Sequence, residues 1–198
     1  MASALEIFLD GEADAAVRGL WDKLERVGLA SLRTASHGRH HPHVTLAVGE
    51  HIAVGDELLG ALEALPGQRL NFPLLGVFPG DAAVLLLGAQ VTAPLLDAHA
   101  NVHAAIDSKS GNGGGSDSPR EVERLGELYK PGSWVPHCTL AMRLDTESLA
   151  RALRELHPYA GLRASIEKVG LVDMETGDMQ DLVGNSRRAT VNNRRHLG

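Results

Sequence analysis

His43-Val44-Thr45-Leu46-Ala47-Val48 decides the fold, because it returns ninety-four residues later as His137-Cys138-Thr139-Leu140-Ala141-Met142. Each copy is entered through a proline, Pro42 and Pro136. Both stretches have the composition of a strand, whose side chains alternate between two faces. His43, Thr45 and Ala47 then share one face and Val44, Leu46 and Val48 the other, while His137, Thr139 and Ala141 oppose Cys138, Leu140 and Met142. A strand with an imidazole and a hydroxyl on one face and apolar groups on the other, made twice, supplies two proton-transfer groups and two anion-binding hydroxyls. That combination suits a phosphate.

On the N-terminal side of the first copy, residues 4–10 read as a strand. Residues 14–27 follow as a helix, with Val17, Leu20, Trp21 and Leu24 at helical spacing and Gly28 as its stop. Residues 34–42 are polar and loop-like. Beyond the first copy, residues 56–65 form an amphipathic helix closed by Pro66-Gly67, and strands over 70–78 and 82–89 flank the turn Pro79-Gly80-Asp81. Residues 92–106 return to helix, with Pro94 in the first turn, where its missing N–H does no harm. Residues 108–118 are of low complexity, rich in glycine and serine, and read as a mobile loop. A helical turn or two over 121–128 leads into the second copy. After it come a helix over 146–156 closed by His157-Pro158, a strand over 165–172, a turn over 175–178 and a strand over 179–183. The last fifteen residues, with Arg187, Arg188, Arg194 and Arg195, show no periodicity and read as a frayed basic tail over 184–198.

The order strand, helix, His-x-Thr strand, helix, strand therefore occurs twice, over about 4–78 and 82–172. Leu75-Gly76-Val77 and Val169-Gly170-Leu171 are also ninety-four residues apart. A unit of this length is too long for a solenoid repeat and suits one small lobe. The expected fold is α+β, a duplicated two-lobed arrangement within a single domain. Its antiparallel sheets line a central groove, its helices lie outside, and the two His-x-Thr faces converge on one site.

Composition sets the bounds. A chain of 198 residues, 43% hydrophobic, can bury a substantial core without staples. One cysteine, Cys138, leaves no internal disulfide framework and points to a reducing compartment. No apolar run is long enough to span a bilayer, and the N-terminus lacks a signal-type pattern, so the expectation is a cytoplasmic monomer without membrane contact. A net charge of −6 argues against tight binding to long duplex nucleic acid, which relies on many Lys and Arg contacts to phosphates.

With both motifs in place, the chain resembles the two-histidine phosphoesterases, and above all their 2′-5′ RNA ligase-like, 2′,3′-cyclic phosphodiesterase branch. The signature of that family is a pair of His-x-Thr/Ser-x motifs with hydrophobic x, here His43-Val-Thr45-Leu and His137-Cys-Thr139-Leu. Tyr129-Lys-Pro-Gly-Ser-Trp-Val-Pro-His137-Cys-Thr-Leu is similar to that branch's approach to its second motif, and the resemblance runs from about residue 4 to 183. The glycine-rich stretch and the arginine-bearing tail stand outside it. The resemblance implies a bilobal α+β fold, no cofactor and no metal requirement. It also implies chemistry on 2′,3′-cyclic phosphates or 2′-5′ phosphodiesters of nucleotides or RNA.

In that chemistry His43 and His137 are the general acid and base, in an order the sequence leaves open, and Thr45 and Thr139 hold phosphate oxygens. Arg143 continues the parity of His137 and Thr139, which would put a cation on the same face, a solvated arginine at the strand end being the other reading. Tyr129 and Trp134 could stack on a base, with core packing as the other reading for Trp134. His37, His40 and His41 lie in a polar loop without metal-ligand spacing. His99 and His103 sit one helical turn apart but lack the Glu of His-Glu-x-x-His, and read as surface residues. Gly113-Gly114-Gly115 lacks the ending of a phosphate-binding loop, and Cys138 reads as a small core residue. The rival function is a non-catalytic module that binds RNA ends or nucleotides in the same groove, and a histidine-rich metalloprotein is a further one.

Overall fold

The computed structural model describes residues 2–35, 38–109 and 120–185. The loop expected over 108–118 and the tail expected over 184–198 fall almost wholly outside these residues, as does His37. Strand β1 (Ser3–Leu9) buries Leu5 and Ile7 completely and hands over to helix α1 (Gly11–Arg26) at Asp10. The Asp10 carboxylate accepts from the Ala13 N–H at 3.0 Å, satisfying one of the free amides at the helix start. Ala13, Val17, Trp21 and Leu24 form the buried stripe of α1. Gly28 ends the helix with a positive φ of 77° and its N–H on the Glu25 carbonyl.

The remaining elements are β2 (His43–Gly49), α2 (Asp56–Leu62), β3 (Arg69–Phe72), β4 (Leu74–Phe78), β5 (Ala83–Gly88), α3 (Ala93–Lys109), α4 (Arg120–Leu128), β6 (His137–Leu144), α5 (Thr146–Leu156), β7 (Leu162–Asp173) and β8 (Met179–Gly184). The single strand expected over 70–78 is in fact two. Pro73 has no N–H to give a ladder, and the chain leaves one sheet there for the other. β3 pairs with β7, and β4 pairs with β5.

The strands make two antiparallel sheets. One runs β2-β1-β7-β3, with β8 also paired to β7; the other runs β4-β5-β6. Placed side by side, β2-β1-β7 and β6-β5-β4 are equivalent, each with its His-x-Thr strand at an edge. The third strand of each is exchanged, since β7 follows the second motif yet joins the first motif's sheet, and β4 does the converse. A sheet therefore does not coincide with one contiguous half of the chain. The two motif strands lie against each other, and α1 packs against both β7 and β6 across the join.

Both motif strands carry a bulge at the same place. Leu5 pairs with Ala47 and Glu6 with Thr45, which skips Leu46; Leu85 pairs with Ala141 and Leu86 with Thr139, which skips Leu140. A bulge shifts the alternation by one residue. Ala47 and Ala141 consequently turn into the core, at 2% and 0% exposure, instead of sharing the face of His43 and His137. A second irregularity in β6, between the pairs Leu85–Ala141 and Ala83–Leu144, contains Arg143, which is exposed and has a φ of 57°. Simple alternation therefore no longer assigns Arg143 to the histidine face, because the residue lies inside the second bulge.

Candidate active site

The prolines before the two motifs have a geometric consequence. In both copies the histidine folds its ring back onto the carbonyl two residues earlier: His43 Nδ1 lies 2.7 Å from the His41 oxygen, and His137 Nδ1 lies 2.7 Å from the Val135 oxygen. A carbonyl only accepts, so each Nδ1 carries a proton and donates it. That fixes the tautomer and leaves Nε2 of both rings as the position that gives or takes a proton. His41 is itself pinned from α1, where Arg18, paired with Asp14, donates to His41 Nδ1 at 3.0 Å. Thr45 and Thr139 are half-buried on the same face as their histidines. The motifs meet directly, since the backbone of His43 hydrogen-bonds the Cys138 sulfur, and His43 is close enough to His137 to depress its proton affinity.

Each motif strand is also held at the threonine carbonyl by an indole. Trp134 Nε1 donates to Thr45 O at 2.9 Å, and Trp21 Nε1 donates to Thr139 O at 3.4 Å. The chain's two tryptophans thus secure the two strands crosswise, the α1 residue holding the second motif and the residue preceding β6 holding the first.

This doubled arrangement agrees with the family comparison, in which the model of the 2′-5′ RNA ligase superfamily matches residues 12–178. The chain belongs to that superfamily. No curated protein matches it. Similar solved structures include Usb1 of Kluyveromyces marxianus with uridine monophosphate, at 12% identity and a TM-score of 0.43, covering 91% of this chain and 97% of that one. A second structure of the same protein gives 13% identity and a TM-score of 0.42 with the same coverage. The superfamily groups phosphoesterases and ligase-like enzymes that use two histidines, and the α+β build found here accords with it.

For this superfamily member, several residues stand elsewhere than their sequence context implied. Trp134 is 8% exposed and one face of its ring stacks on His99 at 3.9 Å and 5°, so it is a packing residue behind Thr45 and offers no platform for a base. His99 and His103 are not surface residues. Their exposures are 1% and 7%, and both Nε2 atoms approach the carbonyl of the bulged Leu46, at 3.2 and 3.1 Å; His99 Nε2 also reaches Tyr129 O at 2.8 Å. The bulge takes Leu46 out of the β1 ladder, and the α3 imidazoles satisfy its carbonyl. Burial among these groups, with His103 alongside, pushes the His99 pKa down to about 4. Cys138 is fully buried and its thiol is pushed up to about 12, in keeping with a core residue. No group of three or more His, Cys, Asp and Glu is placed to hold a metal ion among the described residues, and no described helix is long and apolar enough to cross a membrane.

Tyr129 lies beside the first motif, its hydroxyl in a hydrogen bond with the Thr45 side chain; burial raises its pKa. Two neighbours were missed from sequence. Phe78, at the end of β4, meets the His137 ring edge-on at 4.9 Å, a contact that depends on the exchange of β4 into the second sheet. Glu6 lies opposite Thr45 across the β1–β2 pair, with Oε1 3.4 Å from His43 Nε2. It did leave a signal. A lone carboxylate in Ala4-Leu5-Glu6-Ile7-Phe8-Leu9, where every other side chain is apolar and buried, needs a polar reason to be there. Burial raises the Glu6 pKa, and the facing His43 ring draws it back. Burial likewise lowers the His137 pKa, with His43 adding to the effect.

Proposed function

We propose that this chain is a phosphoesterase that opens 2′,3′-cyclic phosphate ends, or cleaves 2′-5′ linkages, of nucleotides or short RNA. Catalysis is general acid–base transfer between His43 and His137, without a requirement for a metal ion. The observation that carries this reading is the twofold Nδ1-to-carbonyl contact, which aims two equivalent Nε2 atoms from adjoining strands with a threonine hydroxyl beside each. One neutral Nε2 takes a proton from water as the oxygen attacks phosphorus. The other, protonated, gives its proton to the departing ribose oxygen. Thr45 and Thr139 donate to the non-bridging oxygens, where charge grows in the transition state. Each proton transfer contributes about 10²–10⁴-fold in rate.

The test is turnover of 2′,3′-cyclic nucleotides, cyclic-phosphate-ended RNA and 2′-5′ dinucleotides by wild type, His43→Ala and His137→Ala, with and without EDTA. Activity that survives chelation and falls at least a hundredfold in both variants, with their circular dichroism unchanged, is the expected result. Binding of these ligands without turnover would make the groove a recognition module. Loss of turnover on chelation would require a metal-bound hydroxide as nucleophile.

A further inference from the structure

The two arms of the site are alike in backbone and unlike in surroundings. His43 Nε2 faces the Glu6 carboxylate at 3.4 Å, both side chains being about seven-eighths buried, at 13% and 12% exposure. His137 has no such partner in the contacts described; its ring meets the edge of Phe78 and the carbonyl of Val135. We propose that Glu6 and His43 share one proton and together form the acid arm of the site, leaving His137 alone as its base. This deepens, and rests on, the phosphoesterase reading above.

The separation matters. At 3.4 Å the carboxylate lies beyond the usual 2.7–3.2 Å of an N–H···O bond. It holds the charge of an imidazolium without capturing the Nε2 proton in a strong directed bond, so that proton stays transferable to a leaving oxygen. The imidazolium also stands between two negative groups, Glu6 and the substrate phosphate, and cancels one of them. A carboxylate in so dry a place is costly unless a cation or a proton accompanies it, and a proton shared with the facing imidazole meets that need. Burial beside Phe78 has the opposite effect on His137, whose ring is held neutral with an open lone pair.

The step balances. His137 Nε2 removes a proton from water, and the oxygen bonds to phosphorus. The bond from phosphorus to the ribose oxygen breaks, and that oxygen takes the proton from His43 Nε2. The product is a phosphate monoester, and solvent exchange returns the proton from His137 to the Glu6–His43 pair.

Charged and titratable groups also approach the pair from the surrounding elements. They are His137 and Cys138 on β6, Tyr129 after α4, and Arg39, His40 and His41 in the preceding loop, with Asp14 and Arg18 on α1 and Lys168 on β7 standing one step further out, around His41. Substitution of Glu6 alone isolates its contribution from theirs. Glu6→Gln keeps the shape and removes the charge. For kcat/KM on a 2′,3′-cyclic nucleotide between pH 4.5 and 9.5, we expect the high-pH limb to move down by at least about one pH unit. Activity at pH 8 then falls roughly tenfold or more, while the low-pH limb stays in place. A shift of the low-pH limb instead would make His43 the base, and a profile with neither limb moved would remove Glu6 from the machinery; either overturns the proposal.

Should the variant fold poorly, wild-type protein gives a second reading by ring-proton NMR, with signals assigned from His43→Asn and His137→Asn. The His43 signal should titrate at higher pH than that of His137, and the reverse order overturns the assignment. Wild-type protein that turns over no phosphodiester would instead defeat the phosphoesterase reading, while the order of the two titrations still judges the arms.

Discussion

His99→Phe should make the protein less stable at neutral pH and less sensitive to acid. The wild-type ring is 1% exposed, donates from Nε2 to the Leu46 and Tyr129 carbonyls, and has a pKa lowered to about 4. The unfolded chain binds a proton at His99 near pH 6.5, and the folded chain resists it until about pH 4. Folding therefore excludes a proton between those values. The associated penalty is absent above about pH 6.5, grows as the pH falls, and is complete below about pH 4. Over the span from pH 7 to 4.5 it amounts to about 2–3 kcal/mol, at 1.36 kcal/mol per pH unit.

Phenylalanine keeps the stack on Trp134 but removes the N–H. The Tyr129 carbonyl loses its donor, while Leu46 O keeps His103. The cost is about 1–3 kcal/mol at pH 7. Urea unfolding of both proteins from pH 4.5 to 8 should show wild type ahead at neutral pH and the gap closing or reversing near pH 5. Carboxylates elsewhere titrate in both proteins and cancel in the difference. A gap that stays constant across this range would refute a neutral, proton-excluding His99.

Other outcomes follow from the same contacts. Thr45→Val and Thr139→Val preserve shape and remove one donor each, so kcat/KM for a cyclic nucleotide should fall by up to a few kcal/mol in barrier, or about 10²–10³-fold, with KM moving less; unchanged kcat/KM in both would take the hydroxyls out of the site. Arg143→Gly should raise stability in urea unfolding by up to about 1 kcal/mol, because a non-glycine residue there holds a left-handed φ of 57°. Arg143→Ala should leave kcat/KM within a few-fold, and a hundredfold loss would return that cation to the substrate.

Much of this molecule was legible in order along the chain. Apolar spacing placed α1, α3 and α5 to within a few residues, since a helix writes its buried stripe into its own sequence. The recurrence of His-x-Thr announced paired sites because strand alternation over two residues is a local property. It held for His43 and Thr45, and for His137 and Thr139, which keep their shared face. It failed two residues further on, where bulges at Leu46 and Leu140 turned Ala47 and Ala141 into the core; the carbonyl freed at Leu46 is met by the His99 and His103 rings, which α3 brings from a distant part of the chain. The exchange of β4 and β7 between sheets was equally out of reach, because a strand's partner is chosen by packing across the whole fold. By itself, then, the sequence determined most of the elements, the doubling of the His-x-Thr strand and the pairing of each histidine with its threonine on one face. Only the tertiary structure decided which groups stand behind them: the indoles on the threonine carbonyls, Phe78 against one histidine and Glu6 against the other, each brought from a distant part of the chain by contacts that no local periodicity records.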